Sequence, residues 1–587
     1  MRGGRCVTSP PVVLAIAAFV CVANAAESME VVRYDDYDVV IAGGSTAALA
    51  AAFSAADEGA RTALIEPTDW IGGQLTASGV PAVDEAWHQI TRPGGDGSNR
   101  REVLIDVRGM ARDPRNITPF FRNALQSIGN PGLGWVSRYC FQPRQLLDNH
   151  LLPREQELAD RLTVFRNTVV KQVITNGPKI VSLTAIQRSP KADVTHNGYD
   201  RLPSFDLADW YSQAPSPRYA KRQLTFTGRE RPPVFIDATE WGELLVLSRA
   251  PYLQGVERVD GELAANDRCG QAVTFGFVQR YHQRPVADHP DYPSAPNLGF
   301  GIYHDKPDAW QKIWTYRRLY AAGDSPSASE AAPGDLSLQN WEFDPETGQT
   351  GNDYPDGYLL LSKQDAAKQT SDWQGGVDLQ VMAAAERQAF AWHDWFRHAA
   401  PPGIDPDAFT IEGEVLGTGH GLSKLPYMRD TRRSIGIDGF LLTFDDQVGP
   451  SSQDTGTRFA DRVALAAYAA DIHQLAHCQY PERVTRNHPT LPFYIPYRSL
   501  TNDRYDNLLV AGKTMAQTFL ANSSTRLQPI EWSSGTAAGV IAHYMAAGGK
   551  TSREAFNDIN EVQERVRRHT PIDWTTDATT ISTESNR

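Results

Sequence analysis

Asp471 and His473 are the pair of side chains in this chain best suited to moving a proton. A histidine titrates near pH ~6.5, so its ring can take a proton from a C–OH or C–NH group while an aspartate orients it. Residues two apart do not share a face of a helix, so these two can act together only in a strand or an irregular stretch. A buried histidine with a structural role is the alternative interpretation.

A second group of candidates lies in the segment GTGHGLSKLPYMRDTRRS, which contains His420 and three arginines. His420 is another candidate proton acceptor. A guanidinium matches the two oxygens of a carboxylate, so Arg429 could hold an acidic group of a substrate or a negative charge formed in the reaction. Because charged side chains are mostly exposed, we expect at least two of Arg429, Arg432 and Arg433 to be solvated.

Other classes of site and partner find little support in the sequence. His473 and His477 have i,i+4 spacing, but no HExxH pattern surrounds them and Cys478 alone does not complete a zinc set, so we predict no metal site. There is no Gly-x-Ser-x-Gly elbow and no phosphate-binding lysine loop. The net charge of −13 argues against a nucleic-acid partner.

The segment YDVVIAGGSTAALAAAFSAADEGARTALIE, which begins at Tyr37, predicts a strand, a glycine turn, a small-residue helix and a second strand. This is the pattern of a dinucleotide-binding βαβ unit. Gly43 and Gly44 let the backbone approach a pyrophosphate, and the helix N-terminus adds N–H groups and the positive end of its dipole. Ser45, in place of the second glycine of G-x-G-x-x-G, could donate its hydroxyl to phosphate. Glu66 ends the second strand, where an acid accepts ribose hydroxyls.

Several stretches together resemble one protein family. They are GGSTAALAAA, ALIEPTDWIGGQLTASGV, VFIDATEWGELL, NLLVAGKTMA and STRLQPIEWSSGTAAGVIA, and they cover both ends of the chain. In these stretches the chain resembles the FAD-dependent oxidoreductase family, particularly its secreted members, which groups with the glutathione-reductase-like two-domain flavoproteins. The resemblance implies FAD as the cofactor.

The resemblance also implies FAD contacts from both ends of the chain. The implied residues are Gly43, Gly44, Ser45, Thr46, Ala47, Glu66, Pro67, Gly72, Gly73, Gln74, Val169, Val170, Ala238, Thr239, Gly512, Arg526, Ser534, Gly535 and Thr536. The loop at Gly72 and Gly73 would run along the cofactor, and the backbone at Val169 and Val170 would hold the adenine. The last long helix would direct its N-terminus at the pyrimidine edge of the flavin, where its dipole favours the charge formed on reduction. The family's Asp-Ala-Thr-Gly stretch has Glu240 here instead of glycine.

The fold implied by the resemblance is α/β, with a Rossmann-like FAD-binding domain around a parallel central sheet, interrupted in sequence by an α+β substrate domain. We expect a signal peptide at 1–25, the FAD-binding domain at 35–248 and 496–550, the substrate domain at 249–495, and a C-terminal helix and tail at 551–587.

Periodicity predicts further elements within these domains. Helices are expected at about 143–160, 378–399, 459–477 and 530–546. Residues 162–187 alternate as a β-hairpin does, with Asn176-Gly177 as its turn. The polar, proline-rich segment 189–231 is interpreted as an insertion.

The chain begins with the features of a signal peptide, namely a basic start, an apolar run at 11–23 and a small-x-small site ending at residue 25. We expect a secreted or periplasmic protein with no stable membrane span after cleavage, because the run is too short to cross a bilayer. An uncleaved anchor is the alternative. Of five cysteines, Cys140, Cys269 and Cys478 would remain, which allows at most one disulfide. Cys140 is more readily interpreted as a small buried residue than as a redox partner or flavin attachment point.

These observations favour a secreted FAD enzyme that transfers a hydride to FAD from a small organic substrate at a C–OH, C–NH or other activated C–H. The electron acceptor is left open between oxygen, a quinone and another carrier. The absence of a second dinucleotide fingerprint weakens the case for a dedicated NAD(P)H site. Two alternatives remain: a flavin monooxygenase acting through reduced FAD and oxygen, and a non-catalytic flavin-folded protein that binds a carbohydrate or peptide.

Overall fold

The structure of the protein is a computed structural model. It describes Met1 and residues 29–84, 92–93, 101–102, 117–256, 267–287, 307–340, 351–449, 455–476 and 490–570. The predicted signal peptide, apart from Met1, and most of the predicted C-terminal tail lie outside the described residues.

A five-stranded sheet forms the centre of the fold. In spatial order its strands are β5 (Leu508–Val510), β4 (Val234–Asp237), β1 (Val39–Ala42), β2 (Thr62–Ile65) and β3 (Leu162–Phe165). All neighbouring pairs are parallel. Every residue of β1, β2, β4 and β5 is buried, as expected for parallel strands covered on both faces. The α/β fold with a parallel central sheet is confirmed, and the sheet joins the two ends of the chain.

Two helices pack against this sheet with their backbones in contact. They are α1 (Thr46–Glu58) and α2 (Gln528–Gly548). A Cβ atom on Gly535 would overlap the Ala47 carbonyl, and one on Gly539 would overlap the Ala51 carbonyl. Since both contacts advance by four residues in the same direction, the helices run parallel and their N-termini point the same way.

A second, four-stranded sheet lies beside the first. Its spatial order is Glu30–Tyr34, Tyr219–Phe226, Lys179–Pro190 and Thr168–Asn176. The hairpin predicted over 162–187 is confirmed for its last two strands, with Gly177 in the turn at φ +55°. Within the segment 189–231, interpreted as an insertion, Tyr219–Phe226 pairs with strands on both sides and is integral to the sheet, so the interpretation is wrong for this part.

The middle of the chain contains an antiparallel sheet with helices. Its strands, in spatial order, are Arg318–Tyr320, Leu336–Gln339, Phe277–Tyr281 and Phe409–Ile411. The helix expected at 378–399 is present at Leu379–His398, and Asp378 caps its N-terminus.

The helix predicted at 459–477 is wrong. Arg462–Ala466 is a strand that pairs with Phe493–Pro496, and irregular backbone follows until the short strand Leu475–Ala476. Alanine-rich sequence favours a helix, but here pairing with a fully buried neighbouring strand overrides that propensity. The helix expected at 143–160 is divided into Pro143–Leu146 and Leu152–Glu157 by a π-helical turn at Leu147–Leu151.

The remaining elements are short. The strands are Arg92–Pro93, Arg101–Glu102, Tyr252–Leu253, Gly270–Gln271, Val273–Thr274, Asp353–Tyr354 and Arg433–Ser434. The helices are Pro119–Ile128, Pro203–Tyr211, Glu243–Leu247, Pro307–Tyr316, Lys363–Gln369, Gly413–Leu416, Phe444–Val448, Phe519–Thr525, Ser552–Asn557 and Ile559–His569.

Candidate functional site

The N-terminus of α1 is surrounded by glycines whose backbone allows no side chain. A Cβ atom on Gly43 would lie 2.7 Å from the Ile65 carbonyl oxygen, and one on Gly73 would lie 2.5 Å from the Thr46 amide nitrogen. Gly44 has a φ of +109°, a conformation that favours glycine. The loop carrying Gly73 therefore lies directly against the first turn of the helix. Backbone free of side chains in this way at a helix N-terminus suits an anion such as a pyrophosphate.

The two hydroxyls at the start of α1 tie neighbouring segments together. Ser45 Oγ donates to the Ala238 carbonyl at 2.6 Å and accepts from the Ala48 amide at 3.1 Å. Thr46 Oγ1 donates to the Gly72 carbonyl at 2.9 Å. The expectation that Ser45 donates its hydroxyl to a phosphate is therefore not what the structure shows, because that proton is used within the protein.

The predicted residues from the end of the chain meet α1 at the same place. The Gly512 amide donates to Ser534 Oγ at 3.2 Å, and a Cβ on Gly512 would lie 2.8 Å from the Ala47 Cβ. Gly535 contacts Ala47, and the Thr536 carbonyl accepts from a hydroxyl of α1. The expectation that segments from the two ends of the chain meet at one site is confirmed.

Glu66 is a buried carboxylate next to this helix end, 2% exposed. Its Oε1 accepts from the Thr68 amide at 3.1 Å and from the Thr68 hydroxyl at 3.0 Å. Burial raises the pKa of Glu66 to about 8, against the opposing effect of Thr68. The Thr168 amide donates to the Glu66 carbonyl at 2.8 Å, so buried Val169 and Val170 follow directly beside the acid.

Two other predicted contacts lie just after the carboxyl ends of β2 and β4. Pro67 packs 2.9 Å from where a Cβ on Gly44 would lie, and its carbonyl accepts from Arg188 at 2.8 Å. Thr239 donates its hydroxyl to Asp237 at 2.8 Å, at the carboxyl end of β4. Both positions lie at the edge of the sheet where the helix N-terminus stands.

Arg526 connects the glycine-rich site to the candidate proton-transfer residues. Its carbonyl accepts from Gln74 Nε2 at 3.0 Å, and Gln74 follows Gly73 directly. Its Nη1 donates to the Tyr427 hydroxyl at 2.7 Å and its Nη2 donates to Asp471 Oδ2 at 3.0 Å. The side chain of Arg526, expected at the cofactor, thus belongs with the candidate catalytic residues.

His473 lies between two carboxylates. Its Nδ1 is 2.8 Å from Asp353 Oδ2, and its Nε2 is 3.3 Å from Asp471 Oδ2. The segment holding Asp471 and His473 is irregular, which is the condition under which the sequence allows them to pair. The shorter, orienting hydrogen bond comes from Asp353, however, and not from the predicted Asp471. A protonated ring can donate to both carboxylates.

The charges around these carboxylates keep them ionised. Burial alone would raise the pKa of Asp353, but the positive charge of Arg429, joined by that of His473 when its ring is protonated, outweighs it and lowers the pKa. Burial likewise opposes ionisation of Asp471, while His473 and Arg526 lower its pKa well below the usual range. The group therefore holds two ionised carboxylates at neutral pH.

All three arginines of the 429–433 segment are buried, at 2%, 0% and 0% exposure. The expectation that at least two are solvated is wrong. Arg429 bonds to Thr274 Oγ1 at 2.7 Å and to Asp353 Oδ1 at 3.0 Å, so it belongs to the group around His473. Arg432 and Arg433 each donate to backbone carbonyls, which is a structural role that sequence composition does not indicate.

His420 lies in a different environment. Its Nδ1 accepts from the Leu422 amide at 3.2 Å, and burial together with Lys424 lowers the pKa of the ring to about 3. Lys424 pairs with Asp69 at 3.0 Å and lies 3.8 Å from the Tyr199 ring centre. The structure therefore places His420 beside the loop after Glu66 and not with His473.

A buried ion triad beneath the two helix N-termini was not predicted. Lys513 Nζ lies 2.9 Å from both Glu240 Oε2 and Glu531 Oε1. Burial raises the pKa of Glu240 to about 7, while Lys513 opposes that rise. Glu240, which stands where the family has glycine, is thus accommodated by pairing with a lysine from the other end of the chain.

Asp353, Asn340 and Tyr427 were also missed by the sequence analysis. Asp353 and Asn340 lie near or within a loop-rich polar region, where nothing in the local pattern distinguishes them. Tyr427 lies two residues before Arg429, within the segment that the sequence already marks as a candidate, so its position could have indicated a place in the site.

Within the described ranges, no group of three or more His, Cys, Asp or Glu side chains is arranged to hold a metal ion. None of the helices that can be described has both the length and the apolar character needed to cross a membrane. Cys140 is buried and unpaired, and burial raises its pKa to about 12, whereas Cys269 is in a disulfide. A thiol with so high a pKa is a poor nucleophile.

The sequence model of a family described as FAD dependent oxidoreductase matches residues 38–198 and 221–566. No curated protein sequence matches the chain.

Solved structures align with almost the whole chain at low similarity. A mutant of E. coli quinol fumarate reductase FrdA is 12% identical, with 95% of this chain and 78% of that chain covered and a TM-score of 0.30. A geranylgeranyl bacteriochlorophyll reductase-like protein from Thermoplasma acidophilum is 12% identical, with coverage of 95% and 91% and a TM-score of 0.31. p-Nitrophenol 4-monooxygenase PnpA from Pseudomonas putida is 9% identical, with 95% of this chain and 93% of that chain covered and a TM-score of 0.29.

Proposed function

The chain belongs to the FAD-dependent oxidoreductase family, and we propose that it takes a hydride from a small organic substrate at a carbon bearing a hydroxyl or an amine, or at another activated C–H. FAD is its cofactor and it is an enzyme. The non-catalytic binding protein that the sequence alone left open is thereby set aside.

The continuity between the glycine-rich site and His473 carries this proposal. Gln74 in the loop after Gly73 donates to the Arg526 carbonyl, and the Arg526 guanidinium donates to Asp471 beside His473. A proton acceptor is therefore built onto the same few residues that border the helix N-termini. Such an arrangement suits a reaction in which a hydride and a proton leave one substrate.

The residues present fit FAD. The backbone from Gly43 to Ala47 would face the pyrophosphate, Glu66 would accept the ribose hydroxyls, and the first turns of α2 would direct their dipole at the flavin. Gln74 Oε1 is buried and has no hydrogen-bond partner in the part of the chain described, as expected for a group that faces a ligand.

The protein's own groups would move the proton. When bound, FAD supplies the acceptor for the two electrons of the hydride. In the neutral ring of His473, the hydrogen bond to Asp353 holds the proton on Nδ1 and leaves Nε2 to take the hydroxyl or amine proton. Asp471, kept ionised by Arg526, then stabilises the protonated ring. The substrate loses one hydride and one proton and gains a C=O or C=N bond.

Anaerobic reduction of the bound flavin tests the proposal. The purified protein should release flavin on denaturation, and its visible absorption band should bleach with at least one member of a panel of hydroxy acids, sugars and amines. Rapid bleaching by NAD(P)H with no bleaching by the panel would contradict the proposal and favour a monooxygenase. Reoxidation of the bleached protein by oxygen or by a soluble quinone would then identify the electron acceptor.

We also propose that the enzyme is secreted or periplasmic, because its first residues have the pattern of a cleaved signal peptide. Expression of the full chain with its native N-terminus should yield a mature protein that begins near Ala26 and is found outside the cytoplasm. A protein that retains its first residues and stays in the cytoplasm would contradict this.

FAD binding is expected to strengthen as the pH rises towards 8. Burial raises the pKa of Glu66 to about 8 before the cofactor binds, whereas ribose hydroxyls that donate to the carboxylate favour its ionised form and lower that pKa. Binding then releases a proton below pH ~8, so the affinity should rise by up to about tenfold per pH unit from pH 6 and level off above 8. Titration of the flavin-free protein with FAD across this range measures the slope.

Glu66→Gln keeps an acceptor oxygen but cannot titrate, so its affinity for FAD should vary little with pH. Glu554→Gln, at a surface position, should behave like the wild type. A wild-type affinity that does not change between pH 6 and 8 would show that Glu66 does not receive the ribose.

A further inference from the structure

Arg317, Arg429 and Arg526 each keep one buried Nε–H group without a hydrogen-bond partner in the described residues. Arg429 and Arg526 are both only 2% exposed. Their terminal nitrogens are engaged by protein groups, so the unused donors are not the result of loosely placed side chains. Because a buried donor on a cation without an acceptor is unfavourable, we expect a bound ligand to supply the acceptors.

The three guanidinium groups, which we name the arginine cluster, are linked to one another. Asn340 accepts from Arg429 through its side chain at 3.3 Å and from Arg317 through its carbonyl at 2.8 Å. The Tyr427 hydroxyl accepts from Arg526 at 2.7 Å, and the Arg429 guanidinium carbon lies 4.9 Å from the centre of the Tyr427 ring. The unused donors therefore belong to one contiguous group beside His473.

The charge of this group leaves room for one anion. The three arginines are balanced by Asp84, Asp353 and Asp471, which all act on them electrostatically or by direct pairing. A proton that reaches His473 during the reaction adds one positive charge. A ligand with a single negative charge compensates for that proton, whereas a phosphate group, with a charge of nearly −2, overcompensates.

We propose that the arginine cluster binds a carboxylate of the substrate, so that the enzyme oxidises a small organic acid. This inference rests on the proposed function and names its substrate class. A carboxylate has two oxygens that each accept from guanidinium N–H groups, so it can supply acceptors for the donors left unused. Its charge also stabilises the protonated His473 that forms when the hydride leaves.

Binding of simple acids to the FAD-loaded wild-type protein tests the inference without any turnover. Calorimetry with acetate, butyrate and benzoate, each compared with its neutral amide, should show at least one acid binding at least about tenfold more tightly than its amide. Equal binding of acids and amides, or no binding of any acid, would overturn the inference. This comparison needs no variant and so does not depend on folding.

Two arginine variants then locate the site. Arg429→Lys and Arg526→Lys keep the positive charge but lose the Nε–H group, so each should weaken acid binding by at least about tenfold. Arg553→Lys, on an exposed arginine of the surface, should bind acids as the wild type does. If the two variants bind acids normally but shift or lose the flavin absorption band, the donors serve the flavin and the inference is wrong.

Flavin reduction separates this inference from the proposed function. A 2-hydroxy acid and its amide share the same C–H and hydroxyl and differ by one charge. Reduction at least about tenfold faster by the acid supports both proposals. Equal rates with the two would support the oxidoreductase and reject the carboxylate site. Acid binding without flavin reduction by any compound would support the carboxylate site and reject the proposed hydride transfer.

Discussion

His473→Ala is expected to slow substrate-dependent reduction of the flavin by about a hundredfold while FAD stays bound. The ring pairs with both Asp353 and Asp471, at 2.8 and 3.3 Å, so its loss removes the proton acceptor and leaves two carboxylates facing a cavity. Stopped-flow bleaching under anaerobic conditions measures the rate, and the absorbance ratio of flavin to protein measures bound FAD.

A surface histidine provides the matched control. His398, whose side chain is 54% exposed, ends the helix Leu379–His398, and His398→Ala should reduce its flavin at the wild-type rate. Added imidazole should restore part of the rate of His473→Ala, because a small base can enter the space that the ring leaves. If His473→Ala reduces its flavin as fast as the wild type, the histidine has no part in the proton transfer.

The FAD-binding half was predictable because its contacts are encoded locally. The turn at Gly43 and Gly44, the alanine-rich α1 and the acid at Glu66 follow one another within a single βαβ unit, where spacing alone determines which backbone groups can meet. The late helix was found through resemblance, and its small residues have a direct physical reason: Gly535 and Gly539 let two helix backbones touch.

The candidate proton-transfer group around His473 was only half predictable. Asp471 and His473 are close in sequence, and their pairing depends on backbone that is irregular in the structure. Asp353, which makes the shorter bond to the ring, comes from a segment more than a hundred residues earlier in the chain. No local pattern relates two such positions, because only the packing of the middle of the chain brings them together.

The burial of Arg429, Arg432 and Arg433 shows why composition misleads at such sites. Charged residues are usually solvated because burial removes their hydration, but here carbonyl oxygens and the Asp353 carboxylate replace the water. Those acceptors lie on distant segments and become visible only in the folded chain. Of the three, Arg429 pairs with Asp353 in the group around His473, whereas Arg432 and Arg433 donate to backbone carbonyls, and the sequence does not show this division.

Gly535→Ala is expected to lower the free energy of unfolding by about 1–3 kcal/mol and to reduce FAD content, because the added methyl overlaps the Ala47 carbonyl and separates α1 from α2. The loss of FAD follows because the N-termini of both helices border the site.

Gly548→Ala, at the end of the same helix, is the matched control, because a Cβ there would meet only the flexible Lys550 side chain, at 3.1 Å. It should stay within about 0.5 kcal/mol of the wild type and keep its flavin, because alanine is the better helix former. Denaturant unfolding and flavin absorbance measure both effects. Equal stability and flavin content in the two variants would mean that the helices do not touch at Gly535, and the proposed position of FAD across their N-termini would fall with that contact.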